Sequence, residues 1–142
     1  MNILITGAKG FVGKNLVAQL RTIAEGKNKS YGEIAIGEIF EYDIDSTLEQ
    51  LDDYCRRADF VFNLAGVNRP QNSEEFMQGN FGFASTLLET LKKHNNTCPV
   101  MLASSMQATL VGRYAEGEYG KSKKAGEELF FDYAAECGAK VL

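Results

Sequence analysis

Two side chains four residues apart, Tyr119 and Lys123, carry the most reactive pairing in the sequence. They stand at the start of a predicted helix, Gly120 to Cys137, so they share one of its faces. An ammonium close to a phenol favours the phenolate and lowers the tyrosine pKa. Such a tyrosine exchanges a proton with a substrate hydroxyl or carbonyl near neutral pH. Ser105 ends the predicted strand Pro99 to Ser105, and its hydroxyl could hydrogen-bond the same substrate oxygen. Taken alone, Tyr-x-x-x-Lys equally describes a surface aromatic beside a solvated lysine. The chemistry needs a second site to serve.

The first thirteen residues supply one. Ile3, Leu4 and Ile5 form an unbroken apolar run, which suits a strand buried on both faces of a parallel sheet. Gly7, Gly10 and Gly13 follow at a spacing of three, and then Val12, Leu16, Leu20 and Ile23 recur as one face of a helix does. A missing Cβ at Gly7 permits a tight turn, and at Gly10 it admits a pyrophosphate to the backbone. At Gly13 it lets the helix pack closely on the strand. The helix N-terminus offers unpaired N–H groups and a positive dipole end to the phosphates. Set between a buried strand and an amphipathic helix, the triplet reads as a dinucleotide-binding turn rather than a generic one.

Around these sites the chain alternates. Glu25 to Gly32 is a polar loop, and Ile34 to Tyr42 is either one strand with a bulge at Gly37 or two short strands. Ser46 and Glu49 fit a capping box for a helix marked by Leu48, Leu51 and Cys55. Asp59 to Gly66 is a further buried strand. Ser73 caps a long helix whose buried face carries Phe76, Asn80, Phe83, Leu87 and Leu91, and Lys92, Lys93 and His94 close it. Asn80 is therefore a buried amide, which either ties a strand end to the helix or serves the site. Gly138 ends the last helix, and Lys140 to Leu142 begin another strand. This is an α/β pattern, a Rossmann-type doubly wound parallel sheet with right-handed crossovers. Residues 1–142 form one cofactor-binding domain. The sequence stops where a strand should begin, so it reads as the N-terminal part of a longer enzyme, truncated before the last strands and the substrate domain.

Composition is ordinary for a globular protein, with 44% hydrophobic and 24% charged residues. A net charge of −4, with no basic run beyond Lys121 to Lys124, argues against a nucleic-acid partner. No apolar run approaches the roughly 18 residues of a membrane span, and no signal peptide opens the chain, so a cytoplasmic protein is expected. Cys55, Cys98 and Cys137 are widely spaced and read as free thiols, with no metal site among them.

Thr6-Gly7-x-x-Gly10-Phe11-Val12-Gly13, Asn63-Leu64-Ala65-Gly66, Asn80, Ser104-Ser105 and Tyr119-x-x-x-Lys123 together resemble the extended short-chain dehydrogenase/reductase family, over essentially the whole chain. More narrowly, Ala65 to Pro70, Glu75-Phe76, Gly79-Asn80, Ser104 to Thr109 and Tyr119 to Lys123 resemble the reductases of bacterial capsular-polysaccharide synthesis. The resemblance implies catalytic roles for Ser105, Tyr119 and Lys123. It implies cofactor contacts for Thr6, Gly7, Lys9, Gly10, Phe11, Val12, Gly13, Asp43, Leu64, Ala65, Gly66 and Asn80, with Tyr119 and Lys123 shared. It further implies a UDP-4-keto-sugar substrate, with the sugar pocket and a cupin lying beyond Leu142. The chain departs from the family at Ala103, where a third serine is common, and at Asn63, where a histidine is common.

Two signals compete over the cofactor. Asp43 and Asp45 follow the second strand, where an acid bonds a ribose 2′-hydroxyl and repels a 2′-phosphate. Lys9 precedes Gly10, where a cation could reach that phosphate. The subfamily resemblance favours NADP(H) over NAD(H). An epimerase or dehydratase on the same scaffold, or a non-catalytic NADP(H)-binding sensor, are the rival readings. Arg69 reads as an exposed arginine as readily as a phosphate contact, and His94 as a surface residue at a helix end. Truncation at Leu142 predicts an unpaired edge on the Pro99–Ser105 strand, an aromatic patch of Phe130, Phe131 or Tyr133, and hence homo-oligomers.

Overall fold

A computed structural model of the chain describes residues 1–32, 34–66, 82–104 and 118–142, with side chains from 124 onward in the last segment. Four parallel strands run β1 (Ile3–Thr6), β2 (Ile39–Tyr42), β3 (Phe60–Asn63) and β4 (Val100–Leu102). Helices α1 (Phe11–Ala24), α2 (Leu48–Arg57), α3 (Phe83–Lys93) and α4 (Glu118–Cys137) alternate with them. The order across the sheet is β2-β1-β3-β4. Ile3 lies level with Ile39 and Phe60, and Val61 with Val100. This is the Rossmann-type doubly wound arrangement that the alternation predicts. In the six-strand order expected from it, β2 would have an outer neighbour; among the described residues β2 is the edge.

Successive strand residues point to opposite faces, and each face has its own cover. Leu4, Phe40, Tyr42, Val61 and Val100 pack against Leu51 and Cys55 of α2, Leu87, Leu88 and Leu91 of α3, and Phe130 and Tyr133 of α4. Ile3 and Ile5 pack on the other side with Val17 and Leu20 of α1. All four residues of β1 are buried, as an apolar run covered from both sides requires.

The buried stripe of α1 is not the one expected. Gly13, Val17 and Leu20 face the sheet, while Val12 is exposed and Leu16 and Ile23 are only partly buried. Gly13 presents no side chain, so its place on the inner face leaves no apolar mark in the sequence. Between Ile34 and Tyr42 only the last four residues are strand. The preceding stretch bonds instead to the chain's first residues: the Gly37 N–H to the Met1 carbonyl (2.8 Å) and the Glu38 N–H to Asn2 Oδ1 (3.0 Å). The cap of α2 lies one residue later than predicted. Thr47 and Gln50 form the reciprocal box, and the Ser46 hydroxyl is occupied by the Asp43 N–H (3.0 Å). Leu48 is accordingly exposed.

The far edge of the sheet also corrects the expectation. The Val100 N–H donates to the Lys140 carbonyl (2.9 Å), and the Leu142 N–H to the Val100 carbonyl (3.0 Å). The Leu102 N–H donates to the Leu142 carbonyl (2.8 Å). Residues 140–142 thus begin the next strand, as predicted, and already pair most of the outward groups of β4. Phe130 and Tyr133 are buried, and only Phe131 of the three aromatics is exposed. The open edge and aromatic patch proposed as the cause of self-association are therefore not features of the described fold. Gly138, at φ +70°, ends α4 as expected, its N–H bonded to the Ala134 carbonyl (2.9 Å).

Candidate cofactor site

The predicted site residues whose side chains the structure describes lie at the carboxyl ends of the strands, where ligands of doubly wound sheets bind. The glycine turn leaves β1 there. Gly7 takes φ +69°, and a Cβ on it would stand 2.8 Å from the Ala65 nitrogen and from the Leu64 carbonyl group. Gly7 is thus fixed twice, by its left-handed backbone and by the loop after β3. A Cβ on Gly13 would stand 2.2 Å from the Gly7 carbonyl oxygen and 2.8 Å from Ala8 Cα. The helix therefore packs closely on the turn rather than on the strand itself. At Gly10 the nearest atom to such a Cβ is the Gly7 oxygen, at 3.3 Å, a tight but milder approach.

This packing holds the first turn of α1 in place with its donors outward. Gly10 is the N-cap and its N–H bonds the Gly7 carbonyl (3.1 Å); the Lys14 N–H already bonds the Gly10 carbonyl (2.9 Å). No side chain caps the helix, and the N–H groups of Phe11, Val12 and Gly13 have no acceptor among the described residues. Three parallel donors at a positive dipole end fit an anion such as a pyrophosphate. Phe11, 85% exposed, and Val12, 60% exposed, flank them.

A buried bridge joins the turn to the next two strands. Thr6 Oγ1 donates to Asn63 Oδ1 (2.6 Å) and accepts the Ala65 N–H (3.3 Å); both side chains are almost fully buried. The Thr6 carbonyl takes the Leu64 N–H (3.2 Å), and the Asn63 carbonyl takes the Ala103 N–H (3.1 Å). Leu64, Ala65 and Gly66 are thereby set beside the glycine turn. Asn63 holds three strand ends together. Its pairing with Thr6 spans 57 positions and leaves no local signal in the sequence.

On the other flank, Asp43 follows β2. Its Oδ2 accepts the Lys9 N–H (2.8 Å) and its Oδ1 the Ile44 N–H (2.7 Å). Lys9 Nζ pairs with Asp45. Each holds the other charged: the Asp45 contact raises the Lys9 pKa, and the Lys9 contact lowers that of Asp45. The sequence set Lys9 against the two acids as rival signals; in the fold they form one cluster. Ile44 between them is 97% exposed, an apolar surface at the strand end that its two charged neighbours obscured.

At the end of β4 the Ser104 hydroxyl donates to Glu127 of α4. Ser105, Asn80 and Arg69 lie outside the described residues. Tyr119 and Lys123 have helical backbone at the start of α4, and their side chains are likewise outside the description. His94 is the C-cap of α3, as predicted, but it is half-buried, with Nε2 3.0 Å from Asp52 Oδ1. The three cysteines are free thiols, and no cluster of His, Cys, Asp or Glu among the described residues could hold a metal. Nor is any described helix long and apolar enough to cross a membrane.

Residues 3–142 match the NAD dependent epimerase/dehydratase family. The chain belongs to that family. Among curated relatives, it is 38% identical over 141 residues to a UDP-2-acetamido-2,6-beta-L-arabino-hexul-4-ose reductase of Pseudomonas aeruginosa, covering 99% of this chain and 34% of that one. Among solved structures, the capsular polysaccharide assembling protein CapF from Staphylococcus aureus is 40% identical, with a TM-score of 0.73, over 99% of this chain and 34% of that one. MoeE5 in complex with UDP-glucuronic acid and NAD is 25% identical, with a TM-score of 0.71, over 99% and 52%. The chain spans about a third of the length of the first two. Its glycine turn and the first turn of α1 lie wholly within the described residues.

Proposed function

We propose that the chain is the cofactor-binding part of an NADP(H)-dependent reductase acting on a UDP-4-keto-6-deoxy sugar in capsular-polysaccharide precursor synthesis, in the cytoplasm. The observation that carries this reading is the 38% identity, over nearly the whole chain, to a reductase named for a UDP-hexulose of that kind. The cradle supports it: three aligned N–H donors and two glycines whose missing Cβ atoms leave no room for substitution suit a dinucleotide pyrophosphate. A bound nicotinamide cofactor supplies the hydride chemistry of such a reduction. In this proposal Phe11, Val12 and Gly13 hold the phosphates, and Leu64, Ala65 and Gly66 border the dinucleotide. Tyr119 gives its proton to the substrate carbonyl oxygen. Lys123, one helical turn along, stabilises the phenolate that remains, and Ser105 hydrogen-bonds the same oxygen. The choice of NADP(H) rests on the subfamily resemblance and on Lys9, whose ammonium stands beside the turn.

The family name also covers epimerases and dehydratases, which begin with the reverse transfers, taking hydride and a proton from a substrate alcohol. Cofactor stoichiometry separates them, because only a reductase consumes reduced cofactor one for one with substrate. The test uses the protein in its natural form. Tyr119→Phe is expected to lower turnover by roughly two or more decades, as loss of a general acid does, with cofactor affinity nearly unchanged. Unchanged turnover would remove Tyr119 from the mechanism. Residues 1–142 by themselves are expected to bind cofactor weakly and to turn nothing over.

A further inference from the structure

We propose that Glu127 is a positioning residue for the reduction: its bond to Ser104 ties the first turns of α4 to the end of β4, and so sets Tyr119 and Lys123 against Ser105. The proposal rests on the roles given to those three residues above and adds the contact that holds their two elements in register.

The Ser104 hydroxyl donates to Glu127 Oε1 across 23 positions. Both partners stand where the proposed chemistry converges. Ser104 is the residue before Ser105 at the end of β4. Glu127 follows Lys123 by four residues, as Lys123 follows Tyr119, so the three positions share one face of α4. The end of β4 is held from its other side by the sheet. The Ala103 N–H donates to the Asn63 carbonyl (3.1 Å), and the Asn63 side chain is bonded to Thr6 at the end of β1 (2.6 Å). The bonds thus run from β1 through β3 and β4 to α4.

Other ties of α4 stand toward its C-terminus. Phe130 and Tyr133 pack in the core, the Tyr133 hydroxyl donates to the Asn96 carbonyl (3.1 Å), and Glu136 pairs with Lys92 (2.8 Å). Apolar packing is non-directional, whereas a hydrogen bond fixes an angle as well as a distance. Phe130 lies about 16 Å along the helix axis from Tyr119, at 1.5 Å per residue, and Glu127 about 12 Å. A tilt of about 4° about Phe130 carries position 119 sideways by about 1 Å. Misplacement of that size costs up to about a hundredfold in rate. The bond to Ser104 resists that tilt, and it does so against the strand end that leads into Ser105.

The experiment is steady-state kinetics of the protein in its natural form with NADPH and the UDP-hexulose for which the Pseudomonas aeruginosa relative is named. Titration with NADPH counts the folded sites, so that kcat is expressed per site. Glu127→Ala is expected to lower kcat about tenfold, with KM and NADPH affinity within about twofold, as a sub-ångström misplacement of catalytic groups does. Ser104→Ala removes the other half of the bond and should lower kcat by a similar factor. The double variant should be no slower than the slower single one, because the two residues share one contact. Glu127→Gln keeps an acceptor oxygen at the same reach and should recover kcat to within about threefold, a neutral acceptor being weaker than a charged one. Unchanged turnover in Glu127→Ala would overturn the proposal. So would a double variant slowed by the product of the two single effects, or Glu127→Gln as slow as Glu127→Ala. Fewer NADPH sites with kcat per site unchanged would also overturn it, by marking the bond as purely structural. Tyr119→Phe, assayed beside these variants, tests the underlying reading separately: full turnover there removes the catalytic assignment and the proposal with it.

Discussion

At the amino ends of the strands, two asparagines close the fold. Asn96 gives both amide hydrogens away, to the carbonyls of Cys55 (2.7 Å) and Ala58 (2.8 Å), and accepts the Cys98 N–H (3.0 Å). Its carbonyl accepts the buried Tyr133 hydroxyl (3.1 Å). Asn2 does the same one strand over, with its N–H on Asp59 (2.7 Å), its amide on the Arg57 carbonyl (3.3 Å) and its Oδ1 on the Glu38 N–H. At the carboxyl ends the polar groups are arranged to be met. Three N–H groups of α1 point outward without an acceptor among the described residues, and Phe11, Val12 and Ile44 stand exposed around them. One end satisfies its donors internally and makes stability; the other leaves three of them without an acceptor among the described residues. The difference separates two kinds of mutation that burial alone would not.

The largest effect expected at the ligand end comes from Gly13→Ala. Its Cβ would lie 2.2 Å from the Gly7 oxygen, so backbone must move. We expect cofactor binding to be lost, with about 1–3 kcal/mol of stability, the cost of an overpacked site. Titration and a thermal melt measure the two. Normal affinity in that variant would mean that the turn is not the cradle.

Asn96→Ala should show the reverse. Two carbonyls and one N–H lose their partner, which costs about 2–3 kcal/mol for partly buried groups. Denaturant unfolding should register that loss, while cofactor affinity in the folded protein stays as it was. A shift in affinity would show that the two ends are coupled.

Alkaline pH should act on the closed end first. Burial pushes the Cys55 thiol up to about 12, Cys98 to about 11 and the Tyr133 phenol to about 12. Folded pKa values raised above those of the unfolded chain mean stability that is present below about pH 9 and lost as pH rises through the folded values. Unfolding followed from pH 8 to pH 11 should show a declining midpoint, with the thiols slow to alkylate at the lower end. Rapid alkylation at pH 8 would contradict their burial.

What the sequence made legible follows from which signals are local. The apolar run of β1, the glycine spacing and the amphipathic helices are local patterns, and the described residues bear out the strands and helices they predicted, the helix start expected at Ser73 lying outside them. Gly13 misled the reading of α1 because a buried glycine adds nothing to an apolar stripe, so Val12 was assigned its place. Ser46 and Thr47 are adjacent hydroxyls, and which one caps α2 is decided by Asp43, three residues upstream of the first. The strand expected from Ile34 is shortened because its first half bonds to Met1 and Asn2. Thr6 with Asn63, and Lys9 with Asp45, meet across 57 and 36 positions. Such pairs depend on the strand order, which no local pattern contains.

The opposition between the two ends can be read directly from backbone amide resonances of the protein as NADPH is added. The account predicts that the amides of Phe11, Val12 and Gly13 shift most, followed by those of Ala65 and Gly66, while those of Cys98 and Gly138 stay in place. Largest shifts at Cys98 and the Asn96 loop, with the first turn of α1 unmoved, would contradict it.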